Sequence, residues 1–396
     1  MKNALLIVLL SVCAGLSAQD RVSTRPINED ILFAPEFHAY AHGRMNNTRG
    51  EGYRWYERFS IMHVSDIHSR FSQLQEALEV AEGKVSVVLN TGDDAHGVSA
   101  GDAGHVKGVL DRTGALLEEN AAVPYMQVPG NHDVTGLTKE EYFKRISDAV
   151  GKLNSEVVWG DAQNYRSYGY VDFVEGSHEG DFRIIMLDPF DYEDGRFGNT
   201  YPFISAVFSQ RQVDWFIDAL VDAASKGLHV ITMMHYSFGD AETFNEDKAK
   251  PDAHFFQDPF MIPDIIDAVQ NKTRLSRSYP DKAGLSDVLI DRDFSSAGDL
   301  DFVAHLFGHI HSKNEYQCQK SDGRKYDILM LGESAIGTPG TALNKIYIEE
   351  GTINDISFSA LHIDVVERVV YRVSYGACLH YDNSKNTRVD RIPYRF

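Results

Sequence analysis

Five short stretches gather the side chains that can do chemistry: Asp66-Ile67-His68, Gly92-Asp93, Gly130-Asn131-His132-Asp133, the lone His235, and Gly308-His309-Ile310-His311. Their donors are carboxylate and carboxamide oxygens and imidazole nitrogens, with no thiolate among them. Mixed oxygen and nitrogen sets suit Zn, Fe or Mn better than Ca or Mg. Asp66, His68, Asp93, Asn131, His235, His309 and His311 make seven potential ligands. That is more than one ion takes while keeping positions open for solvent and substrate. Two ions sharing one bridging carboxylate would use the whole set. Such a pair, roughly 3.5–4 Å apart, holds both the attacking and the leaving oxygen of a phosphoryl transfer and generates hydroxide near neutral pH.

Each stretch follows an apolar run that reads as a buried strand. FSIMHV (59–64), VSVVLN (85–90), PYMQV (124–128), HVITMMH (229–235) and FVAHLFG (302–308) lead into the five in turn, and FRIIMLD (182–188) and YDILMLG (326–332) are two more. Helical periodicity fills 70–82, 104–119, 139–150 and 209–225. Short apolar runs alternating with helices predict an α/β layered fold. In open sheets of that class ligands bind beyond the carboxyl ends of the strands, so the five stretches converge on one edge. Gly92, Gly130 and Gly308 fit tight turns that bring ligand backbones close. Past residue 345 the pattern changes: KIYIEE, ISFSALHIDVV and VVYRVSYGA predict an antiparallel meander that finishes the sheet.

The ordered series D-x-H, GD, GNHD, His and GHxH resembles that of the calcineurin-like metallophosphoesterase family, over about residues 59–312. The resemblance implies a four-layer α-β-β-α sandwich of two mixed sheets, here spanning 57–375. It also implies two divalent or trivalent ions (Mn, Fe or Zn). Asp66, His68 and His311 would hold one, Asn131, His235 and His309 the other. Asp93 would bridge them, together with a solvent hydroxide that attacks phosphorus in line. His132 would touch the phosphate and protonate the leaving oxygen or stabilise the transition state, and Asp133 would orient His132. The GNHD and GHxH pairing is similar to that of phosphodiesterase-type members, so diesters are expected ahead of monoesters. A broad phosphomonoesterase and a non-catalytic metal-dependent binding protein are the alternatives. Purple acid phosphatases place a tyrosine three residues after the bridging aspartate; here that residue is His96, close enough in sequence to reach the site's surroundings.

Composition narrows the partners. Apolar residues are 43% and charged residues 24% of the 396, which excludes collagen-like, disordered and polytopic membrane chains. With 38 basic and 58 acidic residues the formal charge is −20, and no Lys/Arg-rich run is present; both argue against nucleic acid. An anionic substrate is repelled unless positive charge stands locally, and a metal pair supplies it. The expected substrate is a small-molecule or lipid phosphate ester. Residues 236–300 are the expected specificity region. Phe238, Phe244, Phe255, Phe256 and Phe260 there either form an aromatic lip or, the reading favoured, pack the segment onto the body. Arg70 and Lys313 flank the first and last motifs as phosphate contacts or solvated charges.

The N-terminus, MKNALLIVLLSVCAGLSAQD, has a basic Lys2, an apolar stretch from Ala4 to Leu16 and then small residues. This is the layout of a signal peptide, shorter than the roughly 20 apolar residues of a membrane span. The expected division is a signal peptide at 1–18, an N-terminal arm at 19–56, and a C-terminal tail at 376–396 after the main domain. The exported chain would be periplasmic, cell-surface or extracellular. Cys13 in a partial lipobox is the alternative processing point, and Cys318 and Cys378 either pair or stay as thiols. Intact-mass measurement of the exported protein checks the cut: a chain starting at Gln19 is expected, whereas a lipid-bearing Cys13 overturns it.

Overall fold

The structure is a computed structural model that describes residues 59–395, except 83, 121, 164, 175–179, 193–205, 239, 244–257, 281–286, 312–314, 321, 334–356 and 377–386. The leader, the arm, Phe244, Phe255, Phe256, Lys313 and Cys378 lie outside the described residues. Among those described, no helix is long and apolar enough to cross a membrane.

The elements in chain order are β1 (Phe59–Val64), α1 (Phe71–Ala81), β2 (Val87–Asn90), α2 (Ala103–Glu119), β3 (Tyr125–Gln127), α3 (Lys139–Leu153), β4 (Val158–Trp159), β5 (Gly169–Phe173), β6 (Phe182–Met186), α4 (Gln210–Lys226) and β7 (His229–Met233). They continue with β8 (Asp240–Thr243), α5 (Met261–Gln270), β9 (Arg274–Tyr279), β10 (Val288–Asp293), β11 (Asp301–Phe307), β12 (Glu315–Gln319), β13 (Lys325–Gly332), β14 (Ser357–Asp364), β15 (Val369–Gly376) and β16 (Thr387–Pro393). One sheet runs β16-β15-β14-β1-β2-β3, the other β4-β5-β6-β7-β11-β13-β12-β8, and β9-β10 is a separate hairpin.

The first sheet is parallel on one side, through β1, β2 and β3, and antiparallel on the other, through β14, β15 and β16. The second has a parallel centre and antiparallel flanks. In the first, Met62 of β1 lies beside Val88 of β2, and Val88 beside Tyr125 of β3. In the second, β6, β7, β11 and β13 run parallel. Every residue of β1 and β14 is buried, because both faces of these strands are covered; that is why β1 reads as an unbroken apolar run. The sheets face each other, with the Phe59 ring of β1 stacked on Phe182 of β6 at 4.2 Å between centroids. Helices α1 and α3 pack on the first sheet with α2 against α3, while α4 and α5 pack on the second. This is the expected four-layer α-β-β-α sandwich.

Two sequence boundaries change. Part of the stretch read as a tail, 387–393, is the edge strand β16, paired antiparallel to β15. Its TRVDRIP text is too polar to show as a strand; Arg372 of β15, buried, is bonded to Asp390 at 3.2 Å and to Glu315 at 2.5 Å. The 236–300 region, expected as one specificity segment, divides into β8, α5, β9 and β10. In it Phe238 is buried and stacked on His305 at 3.7 Å, and Phe260 packs against the core, so both anchor the segment.

The chain leaving the GNHD motif is fastened to the opposite sheet. Thr138 and Glu141 form a reciprocal capping box at the start of α3. The first helical residue, Lys139, is 1% exposed and puts Nζ 2.8 Å from Asp188 and 2.9 Å from Asp191, just past β6. Burial pushes the Asp188 carboxyl up to about 6 against the pull of Lys139. Removing the cation would strand two buried carboxylates. Lys139→Met should therefore lower urea stability by about 3–5 kcal/mol; a loss under about 1 kcal/mol would show that the clamp is dispensable.

Candidate metal centre

The five motif loops leave the carboxyl ends of β1, β2, β3, β7 and β11 and are stitched to one another through their backbones. Asp66 N–H donates to the Gly92 carbonyl at 2.8 Å and His68 N–H to that of Asp93 at 3.0 Å. Gly308 N–H donates to the His235 carbonyl at 3.0 Å, and His309 N–H to Asp66 Oδ1 at 3.1 Å. These crossings force unusual backbone. Asp66, His68, Asp93, His309 and His311 all have left-handed φ, at 52°, 44°, 60°, 66° and 50°. Each such residue costs on the order of 1–3 kcal/mol and persists only where its surroundings over-determine it. Two glycines make room: a Cβ at Gly130 would overlap the Asp93 carboxylate, and one at Gly308 the Ser65 hydroxyl and the Asp66 carboxylate.

All seven expected ligands come together. Asp66, His68, Asp93 and His311 form one group of donors, and Asp93, His235 and His309 a second; within each group the donor atoms lie within 4.8 Å of one another. His68 Nε2 is 3.2 Å from His311 Nε2, which is 3.4 Å from Asp66 Oδ1. His235 Nε2 is 3.1 Å from Asn131 Oδ1 and 3.2 Å from Asp93 Oδ2, which places Asn131 in the second group. The Nδ1–H of His68 donates to the Ala95 carbonyl at 3.1 Å and that of His235 to Thr91 at 2.8 Å. A carbonyl only accepts, so both tautomers are fixed with Nε2 facing the shared carboxylate.

The charge balance fits two cations. Asp93 Oδ2 is buried, with His235 Nε2 3.2 Å away as its charged neighbour, and a buried carboxylate so placed between two donor groups is a site where cations would be favourable. Burial opposes the charged form of Asp93, yet His235 and His132 outweigh it and hold the carboxyl well below its usual range. Burial lowers His68 to about 4, keeping it neutral as a ligand must be. Burial also presses on His235, but the adjacent Asp93 carboxylate prevails and raises it to about 9.

The role expected of Asp133 is corrected. Its carboxylate accepts the backbone N–H groups of Asp93 at 2.7 Å, Ala95 at 2.7 Å and Gly130 at 3.0 Å. The turn closed by Asp133 N–H on the Gly130 carbonyl, 3.1 Å, directs that side chain beneath the Asp93 loop. The His132 ring is instead oriented by its Nδ1–H on the Gly97 carbonyl at 2.8 Å, while His132 N–H bonds Asp93 Oδ1 at 2.9 Å. Sequence reasoning missed Asp94, whose buried carboxylate accepts from Asn90, Gln127 and Thr113 at 2.7, 2.9 and 3.0 Å and anchors the same loop. It also missed Tyr236, a buried ring set edge-on to His309 at 4.6 Å and to His235 at 5.5 Å. The only sequence signals were their positions directly after a ligand.

At neutral pH the proton on His235 has to leave before Nε2 can bind a cation, and each unit of acidification adds a decade of competition. Affinity at the second group should therefore rise about tenfold per pH unit and level off above about 9. Chelator-competition titration with Mn²⁺ measures it; a flat profile between pH 6 and 8 would overturn the assignment.

A model of the calcineurin-like phosphoesterase family matches residues 59–313. Among solved structures, a dimetal phosphatase from Danio rerio is similar with a TM-score of 0.52 at 13% identity, covering 85% of this chain and 99% of that one. PhoD has a TM-score of 0.44 at 11% identity, with 86% and 72% covered. The phosphopantetheinyl hydrolase of Mycobacterium tuberculosis has 0.30 at 12% identity, with 70% and 89% covered. No curated protein sequence gives a significant match. The family match runs from β1 through β11 and takes in all five motif loops: the chain belongs to the calcineurin-like phosphoesterase family.

Proposed function

We propose that the chain is an exported, two-metal hydrolase of phosphate esters that cleaves diesters ahead of monoesters. The observation that carries this reading is the buried Asp93 carboxylate, shared by two groups of potential metal donors. Ions bound here, Mn, Fe or Zn by donor type, supply Lewis acidity toward phosphoryl oxygens and water of lowered pKa. The protein's own part is positional. His132 is pinned through its Nδ1–H on the Gly97 carbonyl, and in its doubly protonated form the Nε2–H would be the proton given to the departing oxygen, the ring keeping its Nδ1 proton. Its backbone N–H holds Asp93 Oδ1, so the carboxylate and the acid move as one piece. The −20 charge of the chain makes local cations necessary for an anionic substrate to dwell. Export rests on the leader, and the diester preference on the GNHD and GHxH pairing.

Chelated protein reloaded with Mn²⁺ should hydrolyse bis(p-nitrophenyl) phosphate faster than p-nitrophenyl phosphate. His132→Ala should retain two metal ions and lose about 10²–10⁴ in kcat. A monoester preference would overturn the diester part. No turnover of either ester by protein holding two ions would overturn the enzyme reading in favour of a binding protein.

A further inference from the structure

Five imidazoles crowd the mouth of this site, and the ligand set accounts for only some of them. His96 is exposed, three residues past Asp93, and its ring stacks on His132 at 5.0 Å between centroids and 16° between planes. It also meets His68 edge-on at 5.1 Å and 82°, with Nδ1 3.3 Å from His68 Nδ1. We propose that His96 is a second substrate-contact residue, presenting Nε2–H to a phosphoryl or ester oxygen beside His132. The inference rests on the phosphoesterase reading above and adds a named contact to it.

The tautomers carry the argument. His68 turns Nε2 toward His311 and the ligand group, at 3.2 Å, so its ring proton sits on Nδ1, shared with the Ala95 carbonyl at 3.1 Å. His96 Nδ1 faces that same proton and meets it as an acceptor. The proton of a neutral His96 ring is then on Nε2, a donor. His132 is arranged the other way, with its Nδ1 proton on the Gly97 carbonyl. The stacked pair therefore sets the exposed ring of His96 beside that of His132 at the mouth of the site, so that one bound ester can meet both. The buried imidazole of His305 has both nitrogens committed, to Thr232 and to the Tyr236 carbonyl. The exposed ring of His96 is committed through Nδ1, and a phosphate oxygen is the acceptor that its Nε2–H suits.

The test uses the full chain loaded with Mn²⁺, as wild type, His96→Ala and His96→Gln. Metal content, kcat and KM for bis(p-nitrophenyl) phosphate, and the Kd of inorganic phosphate by calorimetry are measured together. His96→Ala should keep two ions, raise KM and the phosphate Kd about five- to tenfold, the weight of one hydrogen bond to a charged oxygen, and change kcat little. His96→Gln, whose amide N–H still donates, should recover most of the loss. Unchanged KM and Kd in an active His96→Ala protein would overturn the assignment of His96 alone. So would a loss that follows missing metal, or a Gln variant as weak as Ala. Wild type that holds two ions yet neither turns over nor binds phosphate would sink the phosphoesterase reading, and the His96 contact with it.

Discussion

One buried carboxylate sets the terms for everything around it. Asp93 Oδ1 is taken by the His132 N–H, Oδ2 faces His235, the Asp93 N–H is held by Asp133, and the Asp93 carbonyl accepts from His68. A charge removed from water is tolerated only when it is paired and hydrogen-bonded. The left-handed backbone at residue 93 follows, because satisfying all four groups at once leaves the chain one direction to take. The bare Gly130 is part of the same solution, since the Asp93 side chain lies where its Cβ would be.

This constraint also explains why the two sheets cannot be separated functionally. The first supplies Asp66, His68, Asp93, Asn131 and His132; the second supplies His235, His309 and His311. Neither set is a site alone. The closure depends on apolar contacts deep in the sandwich, such as Phe59 on Phe182, and on ionic ones nearer the loops, where Lys139 reaches across to Asp188 and Asp191. Asp94 and Asp133, both buried, brace the bridging loop from beneath, and burial together with neighbouring carboxylates raises both of their pKa values.

What was legible in the sequence divides along physical lines. The ligands were legible because metal chemistry demands particular atoms, and those atoms recur at strand ends with glycines beside them. The parallel strands were legible because burial on both faces leaves an apolar run. The hairpin β9-β10, with RLSRSY and VLIDRD, and the edge strand β16 were not, since strands with solvent on one side or at an edge can carry charges. The partner of Asp133 was hidden for a different reason. Adjacent residues in a tight turn point in different directions, so proximity of Asp133 to His132 in sequence said nothing about contact. The unusual backbone at five ligands was not legible either: Asp and His are among the non-glycine residues that adopt it most readily, but they do so at too few positions for residue type to mark which ones.

The raised His235 makes charge balance around Asp93 partly a property of the protein itself. Its proton neutralises part of the Asp93 charge at neutral pH, standing for the cation that the two donor groups are shaped to take. A chain with cores this large does not need metal to fold, and with a proton in place the loops are not left facing an uncompensated carboxylate. Loading a cation then exchanges one positive charge for another inside a preformed shell. The backbone bonds of Asp66 N–H to Gly92 and His68 N–H to Asp93 are independent of that exchange, because they use no ligand side-chain atom. The strain held at the five left-handed ligands is tied to the backbone crossings that fix the loops, since those crossings dictate the direction each ligand residue must take.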